Sequence, residues 1–319
     1  MKKFLRIWAW AVFFFLFIVQ AHGVINLSSQ RPMHDSGMTF MQALVLGVVE
    51  GLTEYLPVSS TGHLLLAQRV MGISGEKDFR AGNPLRKEAS DAYAVCIQGG
   101  AILAVLLLYW GRISSMATGL LGKHTQGLNL ALKLGLAFLP AAVVGLLFEG
   151  VIKRYLFGAW PIVVAWFAGG VLILWFSRRN VAGAELGRGL EDLGWKGAVL
   201  IGLIQCTAMW PGVSRSLATI LGGLVVGLSL GAAVEFSFLL GMLTLGAATI
   251  YDMLSHGRLM LQFFQPVSMA GGFLAAFFSA VVAVRWMVGY LQKHGLQIFG
   301  YYRMVLAVAV SILLLLGVF

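Results

Sequence analysis

The chain predicts an all-α protein that crosses a membrane several times, and three observations carry that prediction. Mean hydropathy is +0.86 over 319 residues, 59% of which are hydrophobic and only 11% charged. The apolar runs are continuous rather than alternating, which is the pattern of membrane helices and not of barrel strands. Two polar strings interrupt this apolar background: EGLTEYLPVSSTGH from Glu50 to His63, and PGVSRSLAT from Pro211 to Thr219. An ionisable residue at bilayer depth costs roughly 2.5–3.5 kcal/mol on insertion scales, so its presence there signals function by default.

Taken in order, the chain opens MKKFLRIWAWAVFFFLFIVQAHG. Lys2, Lys3 and Arg6 precede an apolar stretch ending near Val19-Gln20-Ala21, so residues 1–23 read as a secretory signal peptide or an uncleaved signal-like first helix. A polar stretch at 26–36 leads into one integral-membrane domain over 38–319. Six runs reach the roughly 20 residues that a spanning helix needs: 91–110, 128–149, 160–176, 232–254, 267–290 and 302–319. The regions 39–71 and 196–228 are apolar but broken in the middle by Pro, Gly and hydroxyl residues. Non-helical backbone survives at membrane depth only inside protein or beside a wet cavity. Both regions therefore read as re-entrant helical hairpins with a polar string at the tip.

The two halves, about 39–150 and 196–290, resemble each other. Gly47-Val-Val-Glu50 parallels Gly202-Leu-Ile-Gln205, and Pro57-Val-Ser-Ser-Thr parallels Pro211-Gly-Val-Ser-Arg-Ser with a one-residue shift. Three spans separate the hairpins, so they enter from opposite sides. This is an inverted repeat, the architecture in which broken helices meet near the midplane to build a site. The basic loops 73–89 and 178–196 fall on opposite sides, so charge does not set the orientation.

The net charge of +10 fits loops decorated with Lys and Arg, or attraction to anionic lipid heads. Cys96 and Cys206 lie in apolar segments and are expected as packed free thiols. No Cys/His set has metal-binding spacing, and nothing points to a nucleic-acid partner.

Glu50 and Glu54 are four apart and share a helix face. Two carboxylates that close in a low-dielectric site need a shared proton, an arginine or a divalent metal. Oxygen-only ligands favour Mg²⁺ or Ca²⁺, which makes Glu50 and Glu54 the candidate metal anchors. A new helix is expected to start near Gly62. Ser59, Ser60 and Thr61 at such a start serve as caps or present an anion site, because free N–H groups and the dipole point at whatever docks there. His63 in the first turn is a candidate general acid, base or nucleophile, three residues from Ser60 and within its reach on one face. Ser214, Arg215, Ser216 and Thr219 repeat the logic with a permanent positive charge, whose planar fork matches phosphate oxygens. An internal ion pair of Arg215 with Glu50 or Glu54 is the other reading.

These strings strongly resemble the undecaprenyl pyrophosphate phosphatases, the bacitracin-resistance proteins of bacterial membranes. The resemblance runs from about Phe40 to the C-terminus and includes Ile97-Gln98-Gly-Gly-Ala-Ile-Leu-Ala-Val and Glu235-Phe-Ser-Phe. It departs at Asp91-Ala-Tyr-Ala-Val, where a Phe-Glu pair is expected. The resemblance implies hydrolysis of the C55 polyprenyl diphosphate to its monophosphate, recycling the carrier lipid for peptidoglycan synthesis. It also implies a divalent cation and a site opening to the periplasm from the bacterial inner membrane; the expected partners of the chain are the membrane, the lipid substrate and a second copy in a homodimer. Glu50, Glu54, Ser60, His63, Ser214, Arg215 and Thr219 carry over as functional positions. The nucleophile is either Ser60, assisted by His63, or a water activated by His63 or Glu54. A transporter that flips polyprenyl phosphate shares the opposed broken helices. It does not need the Glu/Ser/His set.

Overall fold

A computed structural model describes residues 38–73, 84–179 and 187–317. The signal-like segment 1–23 lies outside the described residues. Eleven α-helices follow one another among them: α1 (Phe40–Thr53), α2 (Ser60–Val70), α3 (Pro84–Leu108), α4 (Trp110–Leu120), α5 (Thr125–Leu156), α6 (Ala159–Arg179), α7 (Trp195–Gln205), α8 (Arg215–Val225), α9 (Leu230–Phe263), α10 (Pro266–His294) and α11 (Gln297–Leu315). Six of these, α3, α5, α6, α9, α10 and α11, are long and apolar enough to cross a membrane. They coincide with the six expected spans. The short helix α4 was not expected, because its sequence WGRISSMATGL is neither long nor uniformly apolar.

The two broken regions resolve into helix pairs. Thr39 starts α1 with a reciprocal cap: its hydroxyl accepts from the Gln42 amide at 3.2 Å, and the Gln42 side chain accepts from the Thr39 amide at 2.9 Å. The chain then turns through 54–59 and returns as α2. In the second pair, α7 ends in a 3₁₀ turn (Cys206–Met209) before α8 begins. At about 1.5 Å per residue, none of these four helices can cross a bilayer alone.

Packing settles how the pairs approach each other. Positions of α1 run parallel to α10: Gly47 lies against Gly272, and Gly51 against Ala276 and Ser279. In contrast, α8 runs antiparallel to the start of α9, with Gly223 against Ala233 and Thr219 against Ser237. Helices α9 and α10 are consecutive spans joined by Phe264 and Gln265, so they start at opposite ends of the bundle. The two hairpins therefore come in from opposite ends and meet tip to tip, as the inverted repeat requires. Tyr55, Val58, Leu217 and Ile220, from the tips and the start of α8, join Phe236, Phe238 and Leu239 of α9 in one buried core. Both cysteines are free.

The α1–α10 contact is close enough to depend on glycine. A Cβ at Gly47 would lie 2.0 Å from the Gly272 carbonyl oxygen, and one at Gly51 would lie 2.2 Å from that of Ala276. Gly47→Val is therefore expected to cost about 1–3 kcal/mol or more by forcing the two backbones apart. Gly289→Val, whose added Cβ would meet nothing among the described residues, should stay within about 0.5 kcal/mol of the parent. Thermal unfolding of both variants in detergent checks the contrast.

Candidate active site

The hairpin tips meet around a cavity of about 510 Å³. Its polar end is formed by Glu54, Ser59, Ser60 and Thr61 of the first hairpin, Gln205, Ser214 and Arg215 of the second, and Gln98 of α3. Its other wall is small and apolar, with Ala141, Ala142 and Gly145 of α5 facing Ala247 and Ala248 of α9.

Helix α2 starts two residues earlier than the sequence suggested, at Ser60, because Ser59 takes the N-cap position with φ of 73°. Ser214 takes the matching place before α8 with φ of 78°. These two serines are the non-glycine residues with positive φ among the described residues, and they occur at equivalent points of the repeat. Such backbone is costly for a residue with a Cβ and survives where the surroundings over-determine it. Ser214 caps its helix by accepting from the Leu217 amide at 3.3 Å, whereas the Ser59 hydroxyl makes no capping bond. The first amides of α2 are thus left without a side-chain acceptor from their own cap.

Charge is concentrated at the centre. Arg215 Nη2 donates to Glu54 Oε1 at 2.9 Å, and both side chains are almost wholly buried. Nη1 of Arg215 donates to the Ser237 carbonyl at 2.9 Å, and the guanidinium lies over the Tyr55 ring, 5.3 Å from its centroid. The other oxygen of Glu54 accepts a short hydrogen bond from the Ser60 hydroxyl. Glu50, one helical turn before Glu54 on α1, is fully buried, and neither of its oxygens has a hydrogen-bond partner among the described residues. Two carboxylates thus face one guanidinium.

The remaining sequence-predicted residues are buried in the walls. Ser216 donates to the Leu56 carbonyl at 2.8 Å, tying one tip to the other. Thr219 donates to the Arg215 carbonyl at 2.9 Å, and its oxygen lies 2.6 Å from the Ser237 hydroxyl. His63 is fully buried, with Nδ1 2.6 Å from the Ser59 carbonyl and Nε2 2.7 Å from the Tyr302 hydroxyl. A carbonyl only accepts, so Nδ1 carries a proton, and in the neutral ring Nε2 is then the acceptor for the Tyr302 hydroxyl. The expected Ser60–His63 contact is not made: Ser60 turns to Glu54, while His63 faces α11. The three-residue spacing places them on one side of the helix, but the carboxylate and the carbonyl compete more strongly for their hydrogen bonds.

Four consecutive carbonyls of the first tip each receive a side-chain donor. Leu56 takes Ser216, Pro57 takes Arg303 at 3.2 Å, Val58 takes Trp166 Nε1 at 3.1 Å, and Ser59 takes His63. Arg303, fully buried on α11, also donates to the carbonyls of Gly212, Ala165 and Trp166. One guanidinium therefore joins both tips to α6. Sequence reading missed Arg303, Gln98 and Gln205. Arg303 carried a visible signal, a lone arginine in the apolar run QIFGYYRMVLAVAVSILLL. The rule that flags ionisable residues at bilayer depth applies to it as much as to Arg215.

A family model described as bacitracin resistance protein BacA matches residues 43–309. The chain belongs to that family. It is 42% identical over 280 residues to an undecaprenyl-diphosphatase of Sorangium cellulosum, covering 86% of each protein. It is equally similar, over 273 residues, to the undecaprenyl-diphosphatase of Nitrosospira multiformis, covering 85% of this chain and 94% of that one. The protein of the same name from Nitrosomonas europaea matches at 42% over 268 residues, 83% of this chain and 91% of its own length. With its six apolar helices, this member of the BacA family is a multi-pass membrane protein.

Arg303→Met removes the side-chain donor of the buried Pro57 and Gly212 carbonyls in the two tips, whereas the Ala165 and Trp166 carbonyls keep their helical amides inside α6. Each buried acceptor left unmet costs about 1–3 kcal/mol, so a loss of several kcal/mol is expected, with a lowered Tm in detergent. Arg303→Lys keeps the charge but not the planar fork and should recover only part of that loss.

Proposed function

We propose that this protein hydrolyses undecaprenyl diphosphate to undecaprenyl phosphate and inorganic phosphate, recycling the carrier lipid for peptidoglycan synthesis and thereby conferring bacitracin resistance. The observation that carries the reading is the convergence of Glu54, Ser60 and Arg215 in one cavity between two opposed helix N-termini. The names of the relatives support it, and so does the apolar wall beside the polar end, where a polyprenyl chain can lie.

The N-termini of α2 and α8 both open toward the cavity, and free amides with aligned dipoles make each an anion site. Ser59, Thr61 and Ser214 add hydroxyls, and Arg215 supplies a fixed cation with a fork matched to phosphate oxygens. These groups offset charge that develops on the phosphoryl oxygens and on the leaving polyprenyl phosphate. Ser216, Thr219 and His63 act from the walls, holding the turns that aim the others.

Ser60 is the nucleophile we favour. Its hydroxyl already gives its proton toward Glu54, so Glu54 is the base beside it rather than His63. Attack of Ser60 Oγ on the terminal phosphorus breaks the anhydride P–O bond, releases polyprenyl monophosphate and leaves a phosphoserine. Water then cleaves that ester to inorganic phosphate and restores the hydroxyl. Direct attack by a water activated at Glu54 gives the same products without the intermediate.

The donor set fits a hard divalent cation. Glu50 holds two buried oxygens that no donor reaches among the described residues, one helical turn from Glu54, and Glu54 is the carboxylate of the pair that lines the cavity, so a Mg²⁺ or Ca²⁺ ion held by the pair would meet substrate phosphate on the Glu54 side. Bound there by Glu50 and Glu54, the ion would offset negative charge on the diphosphate.

The site faces the periplasmic side of the cytoplasmic membrane in this reading. The cavity wall runs along α9 as far as Tyr251 and Asp252, toward the end where α1 starts. A signal-like segment ahead of α1 supports placing that end outside.

Phosphate release from a long-chain polyprenyl diphosphate by purified protein in detergent, with and without EDTA, tests the reading. Turnover that is lost in EDTA and restored by Mg²⁺ or Ca²⁺ is expected, and full activity in thorough chelation would remove the metal. Arg215→Ala should lower kcat/KM by about 100-fold or more, with Arg215→Lys recovering part of it. The alanine variant also leaves Glu54 buried without its partner, so a stability loss of about 3–5 kcal/mol should accompany it. Ser60→Ala should be nearly inactive, and mass spectrometry of enzyme quenched in turnover should find phosphate on Ser60. Turnover reduced only about 10–100-fold, with no phosphopeptide, would leave water as the nucleophile.

A further inference from the structure

The two positive-φ serines set the register of the internal repeat. Glu50 precedes Ser59 by nine residues, as Gln205 precedes Ser214. In this register the carboxylate of Glu50 and the carboxamide of Gln205 occupy equivalent places in the two hairpins, yet their surroundings differ. Glu50 is buried one helical turn behind Glu54 and does not itself line the cavity, whereas Gln205 closes α7 and lines it. Gln205 is 2% exposed. Its Oε1 lies 3.5 Å from Thr244 Oγ1, at the outer limit of a hydrogen bond, and its Nε2 is buried with no partner among the described residues.

A buried amide nitrogen carries two protons and accepts nothing. Leaving it unmet is unfavourable in a folded protein, so such a group calls for a partner that arrives from outside. The cavity that Gln205 lines also holds Ser214 and Arg215, both donors, and two helix N-termini. What fits beside that set is an anion with several acceptor oxygens. We infer that Gln205 is a substrate-binding residue that donates Nε2–H to the diphosphate oxygens, working with Arg215 as a neutral second clamp. The repeat has thus divided its labour: the first hairpin presents carboxylates for a proton or cation, and the second presents donors for the anion. This assignment rests on the diphosphatase reading for its choice of anion.

The test compares the full-length protein with Gln205→Leu and Gln205→Glu in detergent. Two quantities are read: the KM and kcat for phosphate release from a polyprenyl diphosphate, and the Kd for inorganic pyrophosphate by calorimetry. Gln205→Leu should raise KM and the pyrophosphate Kd by about 10–100-fold, the scale of one hydrogen bond to a charged group, with a smaller change in kcat. Its Tm should hold or rise, because an unmet buried donor has been removed, and a merely structural role would lower it. Gln205→Glu keeps the shape and replaces the donors with acceptors, so it should weaken pyrophosphate binding further than leucine does. Should the leucine variant fail to fold, the glutamate variant carries the test alone.

Unchanged KM and Kd in the folded variants, beside an active parent, would overturn the role of Gln205 and leave the diphosphatase reading standing. A parent that binds pyrophosphate through Gln205 but releases no phosphate would uphold the clamp and overturn the reaction. A parent that neither binds nor turns over would overturn both.

Discussion

Breaking a helix in the middle of an apolar bundle frees backbone carbonyls where no solvent is at hand to meet them, and that constraint organises this molecule. The first hairpin turns through Leu56-Pro-Val-Ser59, and each of its four carbonyls is met by a side chain: Ser216, Arg303, Trp166 and His63. The donors come from four helices. Closing one turn therefore locks α2, α6, α8 and α11 into a single arrangement. Arg303 spans the largest gap, since the same guanidinium reaches Gly212 in the second tip. Its charge has only carbonyl dipoles around it among these contacts, a geometry suited to a planar fork and poorly suited to an ammonium.

The second constraint is charge. Glu50, Glu54 and Arg215 leave one negative charge uncompensated in a buried site, which only a proton or a cation can offset. Ser60 is drawn into this balance through its bond to Glu54. A site so arranged is poised in both senses that phosphoryl transfer needs: a carboxylate beside a hydroxyl, and a guanidinium beside the space a phosphate would fill. Tyr55 supports the guanidinium from below and packs edge-on to Phe238, so the apolar core also fixes the angle of the charged group.

The inverted repeat explains how one chain builds both halves. Equivalent serines with strained backbone start α2 and α8, and the N-termini of the two helices approach from opposite ends. Symmetry places the backbone, and departures from symmetry supply the chemistry. Ser60 stands where the second hairpin has Arg215, and Glu50 where it has Gln205.

Much of this was legible in the residues themselves. Spanning runs announce themselves by length and hydropathy, because in lipid a helix has to satisfy its own backbone and present apolar atoms outward. The two broken regions, their opposed entry and the family all follow from strings that a simple spanning helix would not tolerate. Glu54, Ser60 and Arg215 were legible as candidate site residues because polar groups are costly at that depth, and the structure brings the three together. Which polar group touches which was not legible, since partners 161 and 239 residues apart along the chain, Glu54 with Arg215 and His63 with Tyr302, meet only once the bundle closes. Spacing on α2 put Ser60 and His63 on one face. The tertiary structure gave them different work, because the Ser59 carbonyl and Tyr302 claim the imidazole while Glu54 claims the hydroxyl. Local sequence determines what each residue can offer; packing decides which offer is taken, because every buried polar group has to be met at once.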